Sequence, residues 1–173
     1  MLEFPRVQDL PDDGSRQKEV YAAAGLALFH AQVWERGMIN LALIMRRDSG
    51  KIATPEEWDK HEDKLSSLTA GSLRKLIEKE KLAPLDTLEL WQETLSSRNY
   101  LAHRFFYTHS VAAMTTAGLQ IMLDELAEMI QQFQIADEMT ASVVEQVTAR
   151  WGINEDSIIE LQKQLVEDYL KSH

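Results

Sequence analysis

The chain contains no cysteine among its 173 residues. Disulfide bonds, thiolate metal sites and a cysteine nucleophile are therefore excluded, and the composition fits a reducing compartment. We expect no export signal, because Met1 to Gly14 holds acids and prolines instead of a basic and then apolar pattern. We therefore expect a cytoplasmic protein.

Glycine and proline are scarce, with seven and four copies. No loop can cradle the phosphates of a nucleotide, since the glycines are scattered singly, and no serine lies in a nucleophile elbow. No run of alternating β-branched residues predicts a strand. The sequence thus predicts an all-α fold, an up-and-down bundle of about five to six helices. We expect one domain over residues 1–173, with an N-terminal extension at 1–14, a bundle core at 15–150 and a C-terminal helix at 154–172.

Positive charge is in deficit, since the formal net charge is −10 and the isoelectric point is near 4.9. Affinity for duplex DNA comes from neutralising many phosphates, so duplex DNA is not an expected partner and any nucleic-acid contact must be local. No membrane contact is expected either. The most apolar helix, predicted from Ser15 to about Arg47, is interrupted by polar residues such as Gln32, Arg36 and Asn40.

The sequence also lacks pairs of residues at the spacing that binds metal ions. A di-iron bundle needs two Glu-x-x-His pairs, and none occurs. Glu57 and His61 form a lone pair four residues apart, which indicates an exposed contact on one helix. We therefore predict no metal and no cofactor.

Capping signals mark the starts of the shorter helices. Thr54, Pro55 and Glu57 supply an N-cap, a proline at the first helical position and a capping-box glutamate. A further segment runs from about Thr69 to Lys81, and Pro84 then precedes the next helix.

The longest periodic segment follows residue 110. Its residues alternate spacings of three and four, which is the heptad pattern of a coiled coil or a long bundle helix. The pattern is formed by Leu119, Met122, Leu126, Met129, Phe133, Ala136, Thr140, Val143 and Val147. We expect this seam to pack within the bundle, and packing between subunits stays open.

A last amphipathic helix is predicted after Trp151 and Gly152, with Asn154 as its cap. Its apolar face consists of Ile158, Leu161, Leu165 and Tyr169. We expect this face to dock on the bundle.

Residues 98–104, Arg-Asn-Tyr-Leu-Ala-His-Arg, form a basic island in a stretch from Thr94 to Leu123 that has no Asp or Glu. Asn99 and His103 are four residues apart and share a helix face, so the amide can orient the imidazole. Arg98 precedes His103 by five residues, which is about 140° around the helix axis. The two side chains can meet through the long arm of arginine, a helix distortion or a second copy in a symmetric homodimer.

Guanidinium and imidazole groups suit phosphate chemistry. A guanidinium stabilises the charge that builds up on a phosphate during transfer, and an imidazole moves a proton near pH 7. RNA supplies its own nucleophile, the 2′-hydroxyl, and no metal is required. Tyr100 and Tyr107 can stack single-stranded bases, although core packing is the alternative for such rings. Arg104 and His109 complete the predicted substrate-binding set.

An arginine, a polar residue directly after it, and a histidine after four intervening residues make this helical chain resemble the HEPN superfamily. The matching residues are Arg98, Asn99 and His103. Members are typically small helical proteins that dimerise across the motif, and many are metal-independent endoribonucleases of toxin–antitoxin, abortive-infection or CRISPR-linked systems. The resemblance implies that Arg98 and His103 are catalytic, that Asn99 supports them, and that an antitoxin or regulatory protein is a partner.

Two alternatives to catalysis stay open. Some members of the superfamily are non-catalytic, and the acidic charge and heptad helix fit an interaction module equally well. In a purely structural reading, Arg98 pairs with Glu93 or Glu89 and His103 is an interior imidazole. One position also departs from the branch that is paired with nucleotidyltransferase antitoxins, since Phe105 replaces a tyrosine two residues after the histidine.

Overall fold

The computed structural model describes residues 4–153 and 155–172, and within the last helix it does not describe the side chains of residues 155–158 and 161. This part of the chain forms seven α-helices and no strand. The helices are α1 (Ser15–Asp48), α2 (Pro55–Ser66), α3 (Ala70–Glu80), α4 (Leu85–His103), α5 (Phe105–Thr108), α6 (Thr116–Thr148) and α7 (Glu155–Ser172). The predicted all-α class is confirmed. Six of these helices match predicted segments, and the additional helix, α5, is a single turn.

The three long helices of the bundle alternate in direction. α1 and α6 are parallel, because Arg16 donates to the Thr116 hydroxyl and Arg150 donates to Asp48 at the opposite end. α4 runs against both, since Trp91 near its start donates to Thr140 of α6. α1 and α6 share a larger contact than any other pair of helices.

The heptad seam of α6 is buried against the rest of the chain. Of its nine positions, all except the half-buried Val143 are buried. The core has two clusters along the bundle, one around Phe105 and Phe133 and the other around Trp34 and Trp91. The seam therefore packs within the subunit, as we expected.

The α2–α3 pair is fixed to the C-terminal half of α1 by a buried cation. Arg46 is 6 % exposed and donates to Glu80 of α3 and contacts the His61 imidazole of α2. Lys51 also donates to Glu80. Hydrogen bonds from Arg46, and then from Lys51, lower the pKa of Glu80 to about 2 against the cost of its partial burial.

The segment before α1 is part of the bundle rather than a free extension. Val7 is buried, and its backbone N–H donates to the Gln120 side chain of α6 at 2.9 Å. Arg16, at the start of α1, also donates to the Leu10 carbonyl. The bundle core thus begins before the predicted boundary at residue 15.

The C-terminal helix is present, but its predicted docking is not. Leu165 and Tyr169, on the face that was expected to pack, are 60 % and 62 % exposed. The cap Asn154 and the side chains of Ile158 and Leu161 lie outside the described residues. Among the described residues, no helix has both the length and the hydrophobicity that crossing a bilayer requires.

Candidate functional site

The predicted motif occupies the last turns of α4. His103 is the final residue of that helix, and the Arg104 N–H donates to the Tyr100 carbonyl as the cap. The backbone of Arg104 leaves helical geometry before α5 begins at Phe105. Phe105 is fully buried in the core, so it fixes this end of α4 rather than lining a surface.

Arg98 pairs with an acid that the sequence places far away. Its Nε lies 2.5 Å from Oε1 of Glu35 in α1, and the two atoms form an ion pair without hydrogen-bond alignment. Its Nη1 donates to the Asn99 side-chain oxygen at 3.1 Å. The partners expected in the structural alternative, Glu93 and Glu89, are not the ones that Arg98 contacts. The stretch without acids in the sequence is therefore not free of acids in space.

His103 and Asn99 are exposed at the surface. In the described part of the chain, His103 has no hydrogen bond or ion pair, so the expected bond from Asn99 is not formed. The amide oxygen of Asn99 accepts from Arg98 instead. The alternative in which His103 is an interior imidazole does not hold either, because the side chain faces solvent.

Tyr100 and His109 belong to a different surface. Nε2 of His109 lies 2.6 Å from Oε2 of Glu125 and 3.3 Å from the Tyr100 hydroxyl. Burial, and then the charge of Glu125, raises the pKa of Tyr100. Tyr100 and Glu125 line a groove of about 540 Å³ between α4 and α6, which Glu128 also lines. Glu125 and Glu128 make this groove acidic, and the role of Tyr100 and His109 in RNA binding stays a prediction.

Arg104 and Tyr107 remain at the surface near His103. Arg104 is exposed, and Tyr107 is 85 % exposed, without an aromatic neighbour among the described residues. Their side chains are available to a ligand. The structure thus divides the predicted substrate-binding set between two surfaces, one with Arg104 and Tyr107 and one with Tyr100 and His109.

Residues of α1 also form part of this surface, which was not predicted from the sequence. Tyr21, Leu28 and Glu35 are seven residues apart and therefore share a helix face. The Tyr21 ring lies 5.7 Å from the ring of Phe106, and Glu35 contacts Arg98, so this α1 face borders the motif along its length. The seven-residue spacing was the available signal. We call the surface formed by Tyr21, Leu28, Arg98, His103 and Phe106 the motif face.

The motif face is partly apolar. Tyr21, Leu28 and Phe106 are 61 %, 40 % and 46 % exposed. Within residues 4–153 and 155–172, no group of three His, Asp or Glu side chains is arranged to hold a metal ion. The groups that remain for chemistry are an exposed imidazole and a guanidinium fixed in position by Glu35.

Comparison of the chain with protein-family models, with curated proteins and with solved structures found no match.

Proposed function

We propose that the chain is a HEPN-like, metal-independent endoribonuclease of toxin, stress or defence type that cleaves single-stranded RNA. The observation that carries the proposal is the exposed His103 imidazole at the end of α4, five residues after a guanidinium that is held by Glu35 and still 29 % exposed. An imidazole at the surface can exchange protons with a substrate, and a positioned guanidinium can contact a phosphate.

The proposed reaction needs only groups of the protein and of the RNA. His103 removes the proton of a 2′-hydroxyl, whose oxygen attacks the neighbouring phosphorus while Arg98 stabilises the added negative charge. The new 2′-O–P bond forms as the P–O5′ bond breaks, and the 5′ oxygen takes up a proton. The products are a 2′,3′-cyclic phosphate and a 5′-hydroxyl end.

A homodimer across the motif face would bring together the two groups that do not meet within one chain. No described contact joins Arg98 to His103 within the chain, and a two-fold axis beside α4 would bring Arg98 of one copy towards His103 of the other. The exposed Tyr21, Leu28 and Phe106 offer apolar area for that contact. Arg104 and Tyr107, exposed beyond it, are the residues that we propose to bind RNA.

Cleavage of single-stranded RNA is the direct test. The unmodified chain is expected to cleave an RNA oligomer in the presence of chelator and to leave the same oligomer with 2′-deoxy sugars intact. Arg98→Ala and His103→Ala should each lower the rate by about a hundredfold or more. Ser97→Ala, directly before Arg98 but outside the motif, is the matched control. Cleavage that needs a divalent metal, or that survives in both variants, would contradict the proposal.

Mixing two inactive variants tests whether the site is shared between copies. A dimer of Arg98→Ala with His103→Ala keeps one intact combination, Arg98 from one copy and His103 from the other. Random mixing should therefore restore about a quarter of the original rate. A site contained in one protomer would stay inactive after mixing, which would remove the dimeric part of the proposal and leave the ribonuclease part standing.

One observation favours a second function, a non-catalytic interaction module. The ion pair with Glu35 gives Arg98 a structural role, which is to hold α4 against α1. In that case Arg98→Ala destabilises the fold, and RNA is neither bound nor cleaved. Thermal unfolding of Arg98→Ala beside the cleavage assay separates the two functions.

A further inference from the structure

A groove between α1 and α6, away from the motif face, has no occupant in the described chain. Its volume is about 340 Å³, and its walls include Val33, Gly37, Ala141 and Val144. The two helices come close at Gly37, where a Cβ atom would lie 3.1 Å from Oδ1 of Asp137. The groove is thus an apolar channel that follows the direction of the two longest helices.

Two polar groups in this groove lack partners. Asn40 and Asp137 line the groove, and neither side chain has a hydrogen bond or ion pair among the described residues. Burial raises the pKa of Asp137, with the nearby His30 acting against that effect and Glu138 adding to it. Arg36 also lines the groove but is paired with Glu62, so a further cation placed beside Asp137 would be stabilised by that carboxylate.

The complementary surface lies on α7. Ile159, Val166 and Leu170 are spaced by seven and four residues, so they form one stripe, and they are 41 %, 59 % and 69 % exposed. Lys163 flanks that stripe on the same side of the helix. The stripe offers the groove apolar side chains together with one cation.

The length of α7 matches the position of the groove. Arg150 and Trp151 fix the end of α6 to Asp48. The groove lies roughly 12 to 22 Å from that level, counted along α1, and an 18-residue helix is about 27 Å long. Gly152, with a φ of 75°, allows the chain to turn between α6 and α7. A helix that turned back there would cover the whole groove and place Lys163 within one helical turn of Asp137.

We propose that α7, whose apolar stripe is exposed in this structure, has a second position in which the chain turns back at Gly152 and the stripe lies in the α1–α6 groove of the same chain. Anionic lipid is a poorer occupant for the stripe, because residues 155–172 hold five acids and two lysines. A second copy would need a particular arrangement of two bundles, whereas the α7 of the same chain is tethered at the right distance.

Engineered disulfides test this placement, since the chain has no cysteine of its own. Val33→Cys with Val166→Cys is expected to form an intrachain bond at least about tenfold faster than Val33→Cys with Gln164→Cys. Gln164 lies on the opposite, polar side of α7 and is the matched control. Equal rates for the two pairs, or disulfide-linked dimers in place of monomers, would overturn the proposal.

Two further measurements do not depend on the engineered bond. Amides of residues 159–170 in the unmodified chain are expected to exchange more slowly than in a peptide of α7 alone, because an isolated helix of this length is marginal in water. Equal exchange rates would count against docking. Lys163→Glu should slow formation of the Val33–Val166 disulfide, while Lys171→Glu on the polar side should not. Equal rates of disulfide formation in the two variants would contradict the pairing of Lys163 with Asp137.

Discussion

Arg46 is a buried charged residue whose partners all come from outside α1. A buried guanidinium is tolerated only when its hydrogen bonds are satisfied. Here Glu80 accepts a hydrogen bond from Arg46, and the His61 imidazole contacts the same guanidinium. Removing one partner would leave a buried charged or polar group without its hydrogen bond. This cluster, rather than the exposed ion pairs of α7, is where electrostatics contributes to stability.

The contribution of Glu80 to the stability of the fold should be lost at acid pH. Its folded pKa of about 2 lies below the ordinary value of 4.5, so its stabilising effect is complete above pH 4.5 and is lost as the pH falls towards 2. Glu80→Gln should lower the free energy of unfolding by about 1–2 kcal/mol at pH 7, after allowance for screening by solvent, and by much less near pH 3.

Urea unfolding at several pH values measures this difference. Glu78→Gln, on the same helix, is the control, because its partner Arg74 is one turn away and Glu78 is half exposed. A gap between the unmodified chain and Glu80→Gln that stays constant from pH 7 to pH 3 would contradict the assignment.

Local sequence singled out Arg98, Asn99 and His103 as candidates and predicted that they lie on a helix, because periodicity and neighbours along the chain determine both. It could not identify Glu35 as the partner of Arg98. Those residues are 63 positions apart, and only the packing of α1 against α4 brings them together. The same limit applies to His109, whose partner Glu125 lies on α6.

Helix ends were the most predictable elements because their causes are local. The Thr54 hydroxyl accepts from the Glu57 N–H, and the Glu57 carboxylate accepts in return from the Thr54 N–H, as the capping box required. Thr69 and Thr115 cap α3 and α6 by accepting from the N–H groups of Ser72 and Gly118, without a carboxylate in return. The predicted docking of α7 was wrong for this structure, where Leu165 and Tyr169 are exposed, because an amphipathic pattern does not say which surface covers it.

Replacing Gly118 by alanine should destabilise the protein, although the same replacement inside a helix usually stabilises it. An added Cβ would lie 2.0 Å from the Ala112 carbonyl oxygen, where the turn before α6 crosses its first residues. Gly118→Ala should therefore cost about 2–4 kcal/mol, although alanine is the better helix former. Gly71→Ala is the matched control. Its Cβ would meet only Leu95 at 3.5 Å, an ordinary contact, so that variant should be neutral or more stable by up to about 1 kcal/mol.

Thermal or urea unfolding of both glycine variants provides the measurement. Two similar free-energy changes would mean that helix propensity dominates and that the turn over α6 is not tightly packed.

At the scale of the whole molecule, the parallel arrangement of α1 and α6 explains why two surfaces remain open. The buried seam of α6 packs against α1 and α4, and α1 keeps exposed side chains on both sides of its buried stripe. One side carries Tyr21 and Leu28 of the motif face, and the other carries Val33 of the α1–α6 groove. A heptad pattern predicts that a helix packs, but the order of its neighbours depends on how the intervening helices pack.

Leu28→Glu tests whether the motif face joins two copies. Leu28 is 40 % exposed between the Tyr21–Phe106 contact and the Arg98–Glu35 ion pair, so a carboxylate there would be buried in a two-fold contact beside its own symmetry mate. The unmodified chain should be a dimer by light scattering, and Leu28→Glu should raise the dissociation constant by about a hundredfold or more.

Ile121→Glu is the control for that variant. Ile121 is 57 % exposed and lies on the same side of α6 as Glu125 and Glu128, away from the motif face. Because a shared site needs both copies, RNA cleavage should fall with dimerisation in Leu28→Glu and persist in Ile121→Glu. A monomeric unmodified chain that still cleaves RNA would separate catalysis from assembly, and Arg98 and His103 would then have to meet within one protomer.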